Sequence, residues 1–198
     1  MKPLPRLMLV TQRTRMKPDF ETALEAALRG GAQLIQLREK DLPPDELLAL
    51  AQGAKELCEK YGATLIINGA PEVAQTLGIG LHLPENTLFP ENVDLWGASV
   101  HSLESAQRAA GQGTEYLVFG SVFPTQSHPD SVPAGLETLG KVCAAVQIPV
   151  FAIGGITCGN ARLCLDAGAH GIAVISAVWD AADVEIAVRA LKVVTDDE

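Results

Sequence analysis

The chain has 198 residues, of which 47% are hydrophobic and 20% are charged, and its formal net charge is −9. This balance excludes a disordered chain, and the length fits one globular domain spanning residues 1–198. The acidic charge argues against binding to nucleic acid or to a membrane surface, because both need an electropositive face. A few local donors are still enough to hold a small anionic ligand.

No stretch approaches the roughly 20 consecutive apolar residues of a membrane span. No small-residue cleavage site follows the short N-terminal apolar segment, so no signal peptide is predicted. The cysteines form no CxxC pair, which favours reduced packing cysteines over zinc binding or disulfides. We therefore expect a cytoplasmic protein with an acidic, solvated tail from about residue 195.

Short apolar runs alternate with helical patterns along the chain. Most of the runs are continuous, which is typical of strands buried on both faces of a parallel sheet. The predicted strands are 7–11, 34–38, 64–68, 80–83, 95–100, 116–119, 149–153 and 171–176. The predicted helices are 19–29, 44–61, 71–77, 103–110, 136–146, 160–167 and 180–194.

Eight strands, each followed by a helix, predict an α/β fold, a compact (β/α)₈ TIM barrel. The alternative is an open, doubly wound sheet. It fits less well, because no glycine-rich dinucleotide-binding loop follows the first strand.

Polar residues and glycines gather at the predicted carboxyl ends of the strands, where barrels build their active sites. The last two predicted strands lead to residues suited to phosphate: Gly154-Gly155 follows strand 149–153, and Ile175-Ser176 ends strand 171–176. Barrels often bind phosphate at this position through backbone N–H groups. The alternative for the glycine pair is a tight turn and nothing more.

Arg38 ends the second strand, and its planar fork of donors suits a phosphate or a carboxylate. The alternative for Arg38 is a structural ion pair with a rim acid such as Glu39. The segment 124–135 is the one long irregular loop, and its three prolines exclude a helix. Such a loop at the carboxyl end of a strand suits a lid over a bound ligand.

Five segments together resemble the thiamin-phosphate synthase/TenI superfamily, and they cover nearly the whole chain in the correct order. They are QLREK (36–40), SVHS (99–102), FGSVFPT (119–125), AIGGI (152–156) and GIAVIS (171–176). The resemblance implies a compact TIM barrel that handles thiazole phosphate or its relatives in thiamin biosynthesis.

One branch of this superfamily, the synthase, joins a pyrimidine diphosphate to thiazole phosphate and needs Mg²⁺. The resemblance implies acidic metal ligands after strands three and four, but this chain has NGA at 68–70 and LPENT at 83–87. One carboxylate is therefore absent and the other is at best displaced to Glu85. His128 stands in place of the lysine that contacts diphosphate in the synthase branch.

The NG, LP and SVHS segments resemble instead the TenI branch, whose activity is thiazole tautomerisation. That reaction needs a general acid and a general base but no metal. The resemblance therefore predicts an isomerase, a thiazole tautomerase with no metal and no cofactor. Two alternatives are the Mg²⁺-dependent synthase, which is a transferase, and a non-catalytic binding or regulatory relative.

Ser121 stands where tautomerases place a catalytic histidine. The proton shuttle is therefore assigned to His128, as a mobile acid/base in the lid loop, and to His101, as its rigid partner. Ser121 would relay a hydrogen bond. His82 lies within a predicted strand and is expected to be a satisfied core histidine, whereas no function is expected for His170.

The remaining predicted site residues fall into two groups. The substrate-binding group is Gln36, Arg38, Asn68 and Thr125, and the phosphate-binding group is Gly154, Gly155, Ile175 and Ser176. The expected partner is a small-molecule thiazole phosphate, with no nucleic acid and no membrane. The chain is expected to form a homo-oligomer, a dimer.

Overall fold

Eight parallel strands form a closed barrel in chain order, with β8 hydrogen-bonded back to β1. The structure, a computed structural model, describes residues 3–87, 93–125 and 132–196. The predicted (β/α)₈ barrel is confirmed, and the open sheet is wrong. The strands are β1 (Leu7–Val10), β2 (Leu34–Leu37), β3 (Thr64–Asn68), β4 (Gly80–Leu83), β5 (Trp96–Val100), β6 (Tyr116–Gly120), β7 (Val150–Ile153) and β8 (Gly171–Val174).

Helices cover the outside of the barrel, and those between β1 and β8 agree with the sequence prediction to within one residue at each end. They are α1 (Phe20–Arg29), α2 (Pro44–Tyr61), α3 (Pro71–Leu77), α4 (Leu103–Gly111), α5 (Gly135–Ala145) and α6 (Ala161–Asp166). Within the described residues no helix separates β4 from β5, so the expected helix after every strand is not found there. No described helix is long and apolar enough to cross a membrane.

The C-terminal region differs from the prediction of one helix over 180–194. Two helices occupy it, α7 (Ser176–Trp179) and α8 (Val184–Asp196). Helix α7 begins within the segment predicted as strand 171–176, because the backbone turns away from the sheet at Ile175. Helix α8 continues to Asp196 and buries Thr195 completely.

Alternation along the strands divides the buried side chains into two layers, since successive residues of a strand face opposite sides. One layer packs between the strands and the helices. The other fills the barrel interior with Met8, Val10, Leu34, Ile66, Tyr116, Val118, Phe151 and Ala173. On β2 and β5 the inward positions become polar toward the carboxyl ends: Leu34 is followed two residues later by Gln36, and Gly97 by Ser99.

The Tyr116 ring is the largest side chain in the barrel interior and is fully buried. It packs edge-to-face on Phe151 at 5.8 Å and stacks on His82 at 5.6 Å between ring centroids. Gly97 faces it from β5, and a Cβ at that position would overlap Cζ and both Cε atoms of the ring. Gly97 is therefore required by the space that the ring occupies.

We expect Gly97→Ala to lower the free energy of unfolding by about 1–3 kcal/mol, because overpacking forces the ring or the strand to shift. Gly53→Ala is a matched control, since Gly53 lies in α2 and a Cβ there meets nothing within 4 Å. The control should raise stability by about 0.5–1 kcal/mol through helix propensity. Urea denaturation measures both; equal stabilities of Gly97→Ala and wild type would show that the ring is not confined.

Candidate active site

A cavity of about 1250 Å³ opens at the carboxyl ends of the strands, and residues from all eight strands or the loops that follow them line it. This volume exceeds the roughly 300–1,000 Å³ of ordinary ligand pockets. The cavity is therefore large enough for two small ligands side by side.

The predicted site residues come together in this cavity. All of them line it except His128, which lies outside the described residues. Their placement at one rim follows from the barrel, since parallel strands bring all their carboxyl ends to one face. The roles assigned to these residues remain predictions.

The glycine pair after β7 adopts backbone conformations that side chains disfavour, with φ of +102° at Gly154 and +65° at Gly155. A Cβ on Gly154 would lie 2.6 Å from Cβ of Ser121, so the glycine also permits close packing against the loop after β6. The Asn160 side chain fixes the turn: its amide donates to the Gly155 carbonyl at 3.0 Å and its oxygen accepts from the Thr157 N–H at 2.8 Å. The tight-turn alternative thus accounts for both glycines without a ligand.

The same corner of the cavity also offers hydrogen-bond donors. Among the described residues, no acceptor contacts the backbone N–H groups of Gly155, Ile156 and Ser176, and all three residues line the cavity. Trp179 holds α7 in place, because its indole N–H donates to the Val10 carbonyl at 2.7 Å. Backbone donors from two adjacent loops suit a phosphate.

The loop after β2 is anchored by Glu39, a carboxylate with only 5% of its surface exposed. Its Oε1 accepts from the Thr11 hydroxyl at 2.6 Å, and both oxygens accept from the Arg13 N–H at 3.0 Å. The Arg13 guanidinium lies 3.7 Å from Oε2. The alternative of an Arg38–Glu39 ion pair is therefore wrong, since Arg13 is the cation that accompanies Glu39.

This anchor leaves two cations at the cavity. The Arg38 N–H donates to Thr11 Oγ1 at 3.0 Å, which ties the backbone beside Glu39 to β1. Arg38 and Lys40 both line the cavity, and within the described parts of the chain neither side chain has a carboxylate partner. Lys40 was not among the predicted binding residues. Lys40 lies two residues after Arg38, in the turn that follows β2, and the strand pattern does not predict its direction.

His101 and Ser121 are neighbours at the rim. The His101 Nδ1–H donates to the Gly120 carbonyl at 2.6 Å. A carbonyl oxygen only accepts, so the proton of the neutral ring is on Nδ1 and Nε2 carries a lone pair. His101 and Ser121 both line the cavity, and the role of His101 as the rigid base stays a prediction.

The floor of the cavity contains His82, which is 2% exposed and hydrogen-bonded at both ring nitrogens. Nδ1 lies 3.1 Å from the Tyr116 hydroxyl and Nε2 lies 2.9 Å from Ser99 Oγ. Burial, assisted by the Arg38 charge, lowers the pKa of His82 to about 3, so the ring is neutral. The prediction of a satisfied core histidine is confirmed. Ser99 was missed, although alternation along β5 places it two residues before His101 on the inward face.

Among the described residues, the carboxylates that line this cavity are Glu39, Glu72 and Glu85. Glu39 is committed to Thr11 and Arg13, and Glu85 lies 3.4 Å from the Arg108 guanidinium. Among residues 3–87, 93–125 and 132–196, no three His, Cys, Asp or Glu side chains form a metal-binding group. Magnesium is often held by one or two carboxylates together with substrate phosphates. Glu72 and Glu85, which both line the cavity, fit an ion brought by a diphosphate better than a free ion.

A family profile described as "Thiamine monophosphate synthase" matches residues 7–178 of this chain. The chain belongs to this family. The thiamine-phosphate synthase of Pyrococcus furiosus is 40% identical over an alignment of 199 positions. The alignment covers 97% of this chain and 95% of that protein. The putative thiamine-phosphate synthase 2 of Aquifex aeolicus is 42% identical over 180 residues, which cover 87% and 97%. The solved structure of thiamine phosphate pyrophosphorylase from Pyrococcus furiosus matches with a TM-score of 0.88 and 38% identity, covering 96% of this chain and 95% of that one.

The superfamily resemblance is confirmed, and the chain belongs to an enzyme family. The two sequence relatives above are named synthases, and none of the three proteins is named a tautomerase. The comparisons therefore support the transferase, which the sequence analysis held as an alternative, better than the tautomerase that it preferred.

We expect Glu39→Gln to lower the free energy of unfolding by about 1–3 kcal/mol, because one of the two oxygens that accept from the Arg13 N–H would become an N–H₂ group and two donors would meet there. Asp41→Asn is the matched control: Asp41 hydrogen-bonds the same Arg13 guanidinium, but at an exposed site. Asp41→Asn should lower the free energy of unfolding much less than Glu39→Gln, since solvent screens exposed ion pairs. Thermal unfolding compares the two variants, and an equal loss in both would contradict the anchoring role of Glu39.

Proposed function

We propose that this chain is a thiamine-phosphate synthase, a transferase that moves a pyrimidine group from its diphosphate to a thiazole phosphate and releases pyrophosphate. The observation that carries the proposal is a cavity with two separate sites for anions. Backbone N–H groups after β7 and β8 form one, and Arg38 and Lys40 after β2 form the other. The names of the relatives support the same reaction.

The two cations after β2 suit the diphosphate. When its bond to the pyrimidine group breaks, the bonding electrons leave with the diphosphate and negative charge develops on it. Positive groups fixed near that position stabilise the charge as it forms, without reorganisation at the moment of reaction. Arg38 supplies a planar fork for two phosphate oxygens and Lys40 a compact point charge. The Thr11–Glu39 anchor keeps the backbone between them in place.

The thiazole phosphate then belongs at the loops after β7 and β8. There Gly155, Ile156 and Ser176 offer backbone donors for its phosphate, and their arrangement does not depend on side-chain charge. Magnesium, when bound, neutralises part of the diphosphate charge, and Glu72 and Glu85 are the residues that would hold it.

The direct test mixes the protein with pyrimidine diphosphate, thiazole phosphate and Mg²⁺ and measures thiamine phosphate and pyrophosphate. We expect both products in equal amounts, and we expect EDTA to abolish them. Arg38→Ala should lower kcat by about 10²–10³-fold, as expected when a donor to the developing charge is removed. Arg189→Ala, a surface arginine paired with Glu185 on α8, is the control and should leave the rate unchanged. Absence of thiamine phosphate under all conditions would refute the proposal.

A second candidate, the thiazole tautomerase, is favoured by one specific observation. In the neutral form of His101 the proton is on Nδ1, so the lone pair on Nε2 can accept a proton without a metal. His128 would be the second acid/base that acts with it.

The tautomerase reaction is tested by the ultraviolet change of thiazole carboxylate phosphate in the presence of EDTA. If the second candidate holds, His101→Ala and His128→Ala should each lower kcat on the order of 10²–10⁴-fold. His170→Ala is the control, because that histidine donates to the Leu4 carbonyl at the opposite end of the barrel. Turnover at the wild-type rate in the double variant His101→Ala/His128→Ala would exclude histidine catalysis.

A further inference from the structure

Three polar side chains form a hydrogen-bonded chain in the barrel interior beneath the cavity. The Tyr116 hydroxyl contacts Nδ1 of His82, and Nε2 of His82 contacts Ser99 Oγ. Tyr116 and His82 have no place in the reaction described above. Their buried polar atoms nevertheless form one continuous chain that ends at a residue lining the cavity.

The donors and acceptors of this chain run in one direction. The Tyr116 O–H has one acceptor within hydrogen-bond distance among the described residues, Nδ1 of His82 at 3.1 Å. The nearby Gln36 amide donates instead to Met8 Sδ at 3.7 Å. If Nδ1 carried the proton instead, the buried Tyr116 O–H would have no acceptor, which is costly.

With its lone pair on Nδ1, the neutral His82 ring carries its proton on Nε2. That Nε2–H donates to Ser99 Oγ at 2.9 Å. The Ser99 hydroxyl hydrogen is then left without an acceptor in the described part of the chain, and Ser99 lines the cavity. The Ser99 hydroxyl can therefore donate a hydrogen bond to a ligand bound at the floor of the cavity.

We propose that Tyr116 and His82 are positioning residues that hold Ser99 as a hydrogen-bond donor to an acceptor atom of the bound substrate. The floor then selects ligands with an acceptor at that point and disfavours those with a donor, because two donors would meet. The identity of that substrate rests on the proposed synthase function; the direction of the hydrogen bonds does not.

The arrangement is insensitive to pH near neutrality. Burial keeps the pKa of His82 far below neutrality and that of Tyr116 well above its usual value, so neither group titrates there. The charged side chain that acts on His82 is Arg38, and it disfavours protonation further. The donor character of Ser99 is therefore a fixed property of the folded barrel.

The first test reads the tautomer of His82 directly by NMR of protein labelled with ¹⁵N at histidine. In the free protein we expect an unprotonated Nδ1 and a protonated Nε2 across neutral pH. Tyr116→Phe keeps the buried ring but removes the hydroxyl, so it should produce a mixture of tautomers. A protonated Nδ1 in the wild type would overturn the proposal.

The second test is a double-mutant cycle on the binding of thiamine phosphate, measured by calorimetry. Ser99→Ala should raise Kd about five- to tenfold, the value of one hydrogen bond, and Tyr116→Phe should raise it by a similar or smaller factor. In the Ser99→Ala background Tyr116→Phe should have no further effect. Additive effects would show that Tyr116 does not act through Ser99.

A conservative pair of variants separates positioning from packing. His82→Gln keeps an amide N–H that can donate to Ser99, whereas His82→Leu fills the space without a donor. We expect His82→Gln to recover part of the affinity that His82→Leu loses; equal affinities would contradict the relay. If the wild type fails to bind thiamine phosphate at all, the proposed function fails, and the NMR measurement still decides the relay.

Discussion

The Tyr116 ring determines where the packed interior of this barrel ends and where the cavity begins. It fills the interior between Phe151 and His82, and it fits only because Gly97 leaves space on β5. Its hydroxyl is the one part of the ring that needs a polar partner, and His82 supplies it. The interior cluster around the ring is apolar, whereas the cavity is lined by both polar residues, such as Gln36 and Ser99, and apolar ones, such as Val118. A single buried side chain thus supports the core and defines the chemistry of the floor.

The rim of the cavity carries two positively charged side chains although the protein as a whole is acidic. The chain carries a net charge of −9, yet the cavity presents Arg38 and Lys40 without carboxylate partners among the described residues. This is possible because the carboxylate between them, Glu39, points its oxygens to Thr11 and Arg13. An anionic ligand therefore meets a local positive site although the whole molecule is acidic, and the surrounding negative charge disfavours nonspecific binding to nucleic acid.

The choice between group transfer and proton transfer depends on a handful of side chains on a common barrel. A transferase needs room and charge for two phosphate-bearing ligands, and the large cavity has the room, with Arg38 and Lys40 among its lining. A tautomerase needs a base at one substrate, the role proposed for His101. Because fold alone does not determine function, the relatives named as synthases weigh in favour of transfer.

The sequence by itself determined the barrel, because apolar runs of strand length, separated by amphipathic helices, leave few other ways to bury both faces of a parallel sheet. It also determined that the polar strand ends share one rim, and so predicted Arg38, Asn68 and His101 as neighbours. Only the tertiary structure decided which charges are compensated: Glu39 bonds Arg13 and Thr11, which are far from it in sequence, and not the adjacent Arg38. Likewise, His82 meets Tyr116 and Ser99 across the closed barrel, and no local pattern encodes such contacts.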